Sequence, residues 1–477
     1  MQHEISRLSD RLSGVLAGPI NSVNLKSTVI LLYVLRKAFG YRGRDKIKYQ
    51  QTARRSQFLA RRQRAQWESL EIEMERARWW EAQGKREKSR HLRKQILTEA
   101  YEAFGLDLED HSPSILGPQF SSNIGHLAFA GAIKHAAKKG HLADIERIQV
   151  VQEVGANEVV SSLARAYRQE WGGRQGGRLK AATIALASYD NGPYLWPFLE
   201  RIHTIKTTSG FTDLYDFLEY VGCVYPASRD DSVFELEDAY IEKASDRLQK
   251  LGLSPEEPFI SIHLRELPNA GVDLRTVDIA TYFPAIKEAL NLGYKVVRFG
   301  SSHTSRLPTF NGLIDLVADF PGDNSLDLYT IWKSSFLVST VSGPAYLANW
   351  IGTPALTTNV PSIGIHTLSG VSNNRYLPQV YLRENGKALS LSETLQSPLG
   401  FWHGALSDEI PAGPRGRKNS PEGIRLAVRE MFFLTNGGGR RDHELEATAL
   451  KIRRENYSAS FGKFSSEFLE RNQNWVA

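Results

Sequence analysis

Cysteine is nearly absent from this chain, since Cys223 is the one cysteine among its 477 residues. A single cysteine cannot form an internal disulfide, so the disulfide-stapled class of secreted scaffolds is excluded. Long apolar runs are missing too, because no stretch reaches the roughly 18 residues that a membrane span requires. The apolar run 29–35 is short, lies between Lys26 and Arg36, and begins too late for an ordinary secretory signal. We therefore expect a cytoplasmic protein.

Metal-ligand spacing is also missing from the sequence. His303 and His366 are isolated, and no cluster of His, Asp or Glu has the spacing of a metal site. No D-x-D motif follows a predicted strand, and the nearest approach, Asp190 with Asn191, does not fit that pattern. The sequence therefore predicts no metal ion.

Proline is absent from residues 45–104, and Gly84 is the one glycine there, so the segment is predicted to be helical. Residues 41–94 contain 17 Lys and Arg against 7 Asp and Glu, a net charge of +10. The totals of 59 basic and 53 acidic residues leave 42 and 46 for the remainder, a net charge of −4. This local charge, within residues 42–94, would attract an anionic membrane surface. A solvated helical scaffold is the alternative, and nucleic acid is a less favoured partner.

The length of the chain predicts more than one domain, and the pattern along it divides it into four parts. Residues 1–110 are predicted to form a basic helical extension, and residues 421–477 to form C-terminal helices. Residues 111–255 and 256–420 each alternate strand-like and helix-like segments, which is typical of Rossmann-like α/β domains. The predicted fold class is therefore α/β, with two Rossmann-like domains behind a helical extension.

The stretch FISIHLREL, residues 259–267, is the first candidate for a binding site. It predicts a buried strand after Pro258, with His263 near the end of that strand and Arg265 just beyond it. Ligands of open α/β sheets bind beyond the carboxyl ends of the strands. The guanidinium of Arg265 suits a pair of phosphates, and His263 would orient a phosphate or a ribose. The alternative is a surface ion pair between Arg265 and Glu266.

The stretch VSTVSGPAYLANWIGTP is the second candidate. A predicted strand leads into Ser342, Gly343 and Pro344, and a helix follows. Glycine allows close approach of a ligand, proline suits the first helical turn, and the free N–H groups of that turn attract anions. The alternative is an ordinary strand-to-helix turn. Because both candidates follow strands of one predicted parallel sheet, we expect them to share its carboxyl edge.

Together, HLR and VSGPAYLANWIGTP resemble the donor-binding half of glycosyltransferases with the two-domain GT-B architecture. Residues 121–365 more narrowly resemble bacterial glycosyltransferases found among surface-polysaccharide genes, which pair an IGHL-like turn with an H-x-R strand and a later S-G turn. The H-x-R motif is also similar to that of fucosyltransferases, where its arginine holds the donor diphosphate. Here Glu266 and Leu267 follow the arginine instead of a further basic pair, which argues against GDP-fucose as the donor.

The resemblance implies transfer of a sugar from a nucleotide diphosphate to a glycan, lipid-linked or protein acceptor, with no further cofactor. His263, Arg265, Ser342, Gly343 and Pro344 would then bind the donor. The N-terminal half would bind the acceptor, and its turn SSNIGHLAFAG contains three candidate residues, which are Asn123, Gly125 and His126.

His126 is the candidate general base, since an imidazole titrates near neutral pH. Asp190 in SYDNGPY is the rival candidate. Structural roles, a helix-capping histidine and an Asp-Asn-Gly turn, are the alternatives for these two residues. Two other functions stay open for the chain, a nucleotide-sugar epimerase of the same architecture and a non-catalytic basic scaffold that binds membrane or nucleic acid. A transferase with a basic extension would be peripheral to the inner face of the membrane.

Overall fold

The computed structural model describes four positions of the helical extension, four short strands and most of the C-terminal half. These are residues 88, 91, 92, 95, 114–116, 148–150, 204–207, 210–213, 227–232, 236, 238–266, 274–301, 304–320, 324–367, 369–400, 414–438, 444–456 and 462–476. None of the helices within these ranges has the length and apolarity needed to cross a membrane.

The N-terminal half contributes a four-stranded mixed sheet. Its strands are β1 (Ser114–Leu116), β2 (Ile148–Val150), β3 (Thr204–Thr207) and β4 (Gly210–Asp213), in the order β2-β1-β3-β4. The pair β1–β2 is parallel, as a Rossmann-like half requires, whereas β3 and β4 form an antiparallel pair. Strand β2 lies within residues 111–255, where strand-like segments are predicted, whereas the antiparallel β3–β4 pair was not predicted. Positions 88, 91, 92 and 95 are helical, as the composition of the extension predicts.

The C-terminal half is built on a seven-stranded, all-parallel sheet in the order β13-β10-β9-β8-β5-β6-β7. Its strands are β5 (Phe259–His263), β6 (Lys295–Arg298), β7 (Leu313–Asp315), β8 (Leu337–Thr340), β9 (Ala355–Val360), β10 (Arg375–Pro378) and β13 (Lys463–Phe464). Beside it, β11 (Val380–Leu382) and β12 (Arg415–Arg417) form an antiparallel pair. Parallel strands are covered on both faces, which explains why the central strands are apolar runs rather than alternating ones.

Helices alternate with these strands. They are α1 (Asp238–Lys250), α2 (Phe283–Asn291), α3 (Leu316–Asp319), α4 (Asn324–Lys333), α5 (Gly343–Ile351), α6 (Ile363–His366), α7 (Leu391–Gln396), α8 (Pro421–Thr435), α9 (Glu444–Asn456), α10 (Ser466–Arg471) and α11 (Gln473–Val476). A 3₁₀ turn, Ile279–Tyr282, leads into α2, and Gly293 follows that helix with φ +88°. Helix α5 ends at Gly352, whose φ of +77° is costly for any residue with a Cβ.

The sheet and its helices enclose one large apolar core. Ile260, Ile262, Val338 and Leu356 of the central strands are buried in it, together with Trp350 of α5. Their continuous burial is what the apolar runs of the sequence predict. The alternation of parallel strands and helices confirms the predicted α/β class.

The C-terminal residues close this domain. Two arginines of α8, Arg425 and Arg429, donate to Glu288 of α2 at 2.7 and 2.5 Å. Strand β13 then pairs with β10 and forms the outermost strand of the sheet on that side. Arg453 of α9 lies over the ring of Phe464 at 4.1 Å, and Glu446 of the same helix accepts from the Phe464 N–H at 3.1 Å, so the helix is fastened to that strand.

The segment 227–232, which precedes α1, is fastened to the end of α5. Ser232 Oγ donates to the carbonyl of Trp350 at 2.9 Å. Arg229 Nη2 donates to the carbonyl of Ser334 and lies 3.5 Å from Thr353 Oγ1. A Cβ built on Gly352 would lie 2.2 Å from the carbonyl oxygen of Ser228, so only glycine permits this close approach.

Candidate donor site at the sheet edge

The candidate site lies where the strand order of the seven-stranded sheet reverses. From β5 the chain runs outward through β6 and β7, then returns to the other side of β5 and continues through β8, β9 and β10. This is the doubly wound pattern, and ligands of such sheets bind at the carboxyl ends of the two strands that flank the reversal. Those strands are β5 and β8, which end at His263 and Thr340.

His263 and Ser342 meet at this point. Ser342 Oγ lies 3.1 Å from His263 Nδ1, 3.1 Å from the carbonyl of Thr340 and 3.1 Å from Ser339 Oγ. Ser342 occupies the N-cap position of α5, yet its side chain makes no capping hydrogen bond. The hydroxyl that would ordinarily bind the first helical turn is therefore turned toward the imidazole.

The backbone of Arg265 is held on both sides. Its N–H donates to Thr340 Oγ1 at 3.2 Å, and its carbonyl accepts from the N–H of Val277 at 3.1 Å. The neighbouring Glu266 accepts from the backbone N–H of Ser305 at 2.6 Å, so its carboxylate secures the loop after β6. The strand end and two loops thus fix the position of Arg265 beside the end of β8.

The electrostatics of the edge keep His263 neutral. Burial first, and then the positive charges of Arg265 and Arg298, together lower the pKa of its imidazole from 6.5 to about 4. The ring also packs against Phe299, with 5.2 Å between the ring centroids. At neutral pH the imidazole therefore contributes one hydrogen-bond donor and one acceptor, while the positive charge near it comes from arginine.

The end of β6 lies beside the end of β5 at the same edge of the sheet. Gly300 follows that strand with φ +149°, and a Cβ there would lie 3.8 Å from His263 Cδ2. Arg298 pairs with Asp315 at 3.0 Å, and its side chain is 1% exposed. Since Arg298 is in register with Ile262, it lies on the opposite face of the sheet from His263.

Helix α5 brings its first turn to the same edge. Gly343 and Pro344 begin the helix, and the N–H of Ala345 donates to the carbonyl of Ser342 at 3.1 Å. The N–H groups of a first turn, with the helix dipole, favour an anion. Because the Ser342 hydroxyl does not cap this turn, it does not compete with an anion for these groups.

A second polar cluster lies at the ends of β9 and β10. Asn359 has φ +52°, a left-handed conformation, and exchanges two hydrogen bonds with Asn419 at 2.5 and 2.7 Å. Gln379 donates to the carbonyls of Asn359 and Leu274 at 2.8 Å each. Sequence reasoning missed this cluster, and the one available signal was an asparagine inside the strand-like run LTTNV. It shapes the edge next to Thr340, two strands from His263.

The five candidate donor residues therefore share one edge, as the sequence predicts: His263, Arg265, Ser342, Gly343 and Pro344. Four acceptor-side candidates, Asn123, Gly125, His126 and Asp190, lie outside the described residues, as does most of the basic stretch 42–94. Among the described residues, no group of three or more His, Cys, Asp or Glu is placed to hold a metal ion.

No protein-family model and no curated protein matches the sequence. Among solved structures, the chain is similar to a glycosyl transferase of family 9 from Veillonella parvula DSM 2008, with 15% identity and a TM-score of 0.30. That match covers 46% of this chain and 59% of the other, so the chain spans less than two thirds of that protein. A second is E. coli ADP-heptose LPS heptosyltransferase II, with 14% identity, a TM-score of 0.37, and coverage of 68% and 98%. Similarity at this level assigns no family to the chain.

Proposed function

We propose that the protein is a glycosyltransferase that moves a sugar from a nucleotide-diphosphate donor to a glycan, lipid-linked or protein acceptor, without a metal ion. The observation that carries the proposal is the meeting of His263, Arg265 and Ser342 at the reversal point of a doubly wound sheet. The bond from the anomeric carbon to the phosphate oxygen breaks, and the nucleoside diphosphate leaves with its electron pair. The acceptor oxygen bonds to that carbon and gives up its proton.

The donor half supplies charge stabilisation in this proposal. The diphosphate gains negative charge as the sugar departs, and preorganised positive groups lower the energy of that transition state. Arg265 is the cation at the end of β5. Across the reversal point, the first turn of α5 supplies the backbone N–H of Gly343 and the positive end of the helix dipole, while Pro344, which has no N–H, preorganises that turn. His263 is neutral, so its contribution is a hydrogen bond rather than a charge.

The acceptor half supplies the base in this proposal. His126, in the turn with Asn123 and Gly125, takes the acceptor proton, and Asp190 is the rival. The basic stretch 42–94 holds the enzyme against the anionic inner face of the membrane, where a lipid-linked acceptor would be found.

The test begins with a thermal-shift screen of nucleotide sugars, since a true donor in large excess stabilises the fold by a few kcal/mol. Release of the nucleoside diphosphate is then measured for the wild type and Arg265→Ala. We expect the substitution to abolish turnover and to weaken diphosphate binding by about 2–4 kcal/mol, because a charge-assisted contact is lost.

Lys333→Ala is the matched control for Arg265→Ala. Lys333 is exposed and ends α4, four positions before the start of β8, so this variant removes one positive charge at the opposite edge of the sheet. Unchanged diphosphate affinity in Arg265→Ala would contradict the proposal. Interconversion of nucleotide sugars without any acceptor would identify an epimerase instead.

A further inference from the structure

The hydroxyl protons around Ser342 restrict the tautomer of His263. Ser339 Oγ donates its proton to the carbonyl of Thr340 at 2.7 Å. The single proton of Ser342 then has three possible acceptors, each at 3.1 Å: the Thr340 carbonyl, Ser339 Oγ and His263 Nδ1. Which acceptor it takes decides whether Nδ1 is a donor or an acceptor.

The number of oxygen–oxygen contacts left without a proton between them shows which acceptor Ser342 uses. If Ser342 donated to Nδ1, its oxygen would face both the Thr340 carbonyl and Ser339 Oγ with no proton between them. If Ser342 instead donates to either of those oxygens, one such contact remains, and Nδ1–H donates to Ser342. This count places the proton on Nδ1, so a neutral ring carries its lone pair on Nε2.

Nε2 lies beside the end of β6. A Cβ built on Gly300 would be 4.0 Å from Nε2, so the missing side chain leaves room there. Within the part of the chain that the structure describes, no hydrogen bond reaches Nε2. In doubly wound sheets that bind dinucleotides, an acidic residue at the end of the second strand accepts a hydrogen bond from the ribose. Here the second strand ends at Arg298 and is followed by Phe299 and Gly300, so its end supplies no acidic residue.

We propose that Nε2 of His263 accepts a hydrogen bond from a ribose hydroxyl of the bound nucleotide, and that Ser342 is the positioning residue that fixes the Nδ1–H tautomer. The inference rests on the proposed function, whose donor is a nucleotide. A lone pair on Nε2 is repelled by phosphate oxygens and attracts a hydroxyl proton. The two residues of the H-x-R motif therefore bind different parts of the donor. Arg265 binds the diphosphate, and His263 binds the ribose.

The tautomer is tested first, without any ligand. The full chain is labelled with ¹⁵N-histidine, and the resonances of His263 are assigned among the 12 histidines by their loss in His263→Gln. We expect a protonated Nδ1 and an unprotonated Nε2 at neutral pH. In Ser342→Ala, we expect the two tautomers to average while the other histidines stay unchanged. A protonated Nε2 in the wild type, or an unchanged tautomer in a folded Ser342→Ala, would overturn the inference.

The ligand is tested by titration with ADP, GDP, UDP and CDP, their 2′-deoxy and 3′-deoxy forms, and inorganic pyrophosphate. One neutral hydrogen bond corresponds to a preference for the ribonucleotide of roughly 3–10-fold over one of the deoxy forms. His263→Phe keeps a ring without an acceptor and should abolish the preference. His263→Gln keeps an acceptor near Nε2 and should retain part of it.

Pyrophosphate has no ribose, so His263→Phe should bind it as the wild type does. A ribonucleotide preference that survives in His263→Phe would overturn the inference. Equal weakening of pyrophosphate and ribonucleotide in that variant would overturn it too, since it would place the histidine on phosphate. If the folded wild type binds no nucleotide, the proposed function and the proposed ribose contact are both wrong. The tautomer of His263 is measured without ligand, so that result does not depend on nucleotide binding.

Discussion

His263 and Ser342 are separated by 79 positions in the sequence, yet Nδ1 of one lies 3.1 Å from Oγ of the other. The contact follows from strand register, because His263 of β5 is paired with Ser339 of β8, three residues before Ser342. Two parallel strands and one tight turn thus place a neutral imidazole, a hydroxyl and a helix start within one hydrogen-bonding group.

The buried imidazole should make stability depend on pH. The pKa of His263 is about 4 in the folded protein and 6.5 when unperturbed, so folding favours the neutral ring. This contribution is complete above pH 6.5 and is lost as pH falls toward 4. Urea unfolding at pH 7.5 and pH 5 should show a loss of about 2 kcal/mol that is missing in His263→Gln. All other titrating groups, including Arg265 and Arg298, are common to both proteins. Identical pH dependence in the two would contradict the assignment.

Gly352 should tolerate no side chain. Gly352→Ala would place a Cβ 2.2 Å from the Ser228 carbonyl oxygen at a φ of +77°, combining backbone strain with a steric clash. Gly386→Ala is a matched control, because its φ is also +77° and nothing lies within 4 Å of the added Cβ. We expect about 1–2 kcal/mol of strain in both variants and at least about 1 kcal/mol more loss in Gly352→Ala. Equal free energies of unfolding would show that segment 227–232 is not held there.

The acceptor-side base can be identified by kinetics. His126→Ala should lower sugar transfer by about 10²–10⁴-fold with little change in donor affinity, because a positioned base acts only in the chemical step. The pH profile of transfer should also lose a limb near the imidazole pKa. Asp190→Asn is the paired variant. If it alone removes transfer while His126→Ala stays active, the base is Asp190. A parallel loss of melting temperature and activity in His126→Ala would indicate a structural role.

The basic extension should bind anionic lipid. We expect substitution by glutamine of Arg54, Arg55, Arg61, Arg62 and Arg64 to abolish sedimentation of the full chain with anionic vesicles. Wild-type binding should weaken as salt is added, since these charges are screened. The charge-matched control carries glutamine at five exposed lysines of the C-terminal half, Lys243, Lys250, Lys287, Lys333 and Lys387. Equal loss of binding in the control would show that net charge, and not the extension, drives association.

Local patterns predicted much of the C-terminal domain. Strand β5 after Pro258 and strand β8 before Ser342 are short, largely apolar runs, and the structure confirms both of them. The helix predicted after strand β8 is confirmed as α5. The common edge of His263 and Ser342 could be predicted because parallel strands present their carboxyl ends on one side.

Other features depend on distant partners and could not be predicted. Strand β10 contains Pro378 and is four residues long, and β13 has two residues. Neither is long enough to show the pattern of apolar residues from which a strand is predicted. The exchange between Asn359 and Asn419 joins residues 60 positions apart. The pKa of His263 required knowledge of its burial and of its nearby arginines, which no spacing along the chain provides.

The strand order has a consequence for synthesis of the domain. Strand β5 is made first and lies inside the sheet, and each later strand adds to an edge that is already present. No strand has to be inserted between two that are already paired, so the sheet can grow outward while the chain leaves the ribosome. The contact between His263 and Ser342 can form once β8 and the start of α5 have been synthesised. The edge that holds His263 and Ser342 can therefore exist before strands β9, β10 and β13 are added.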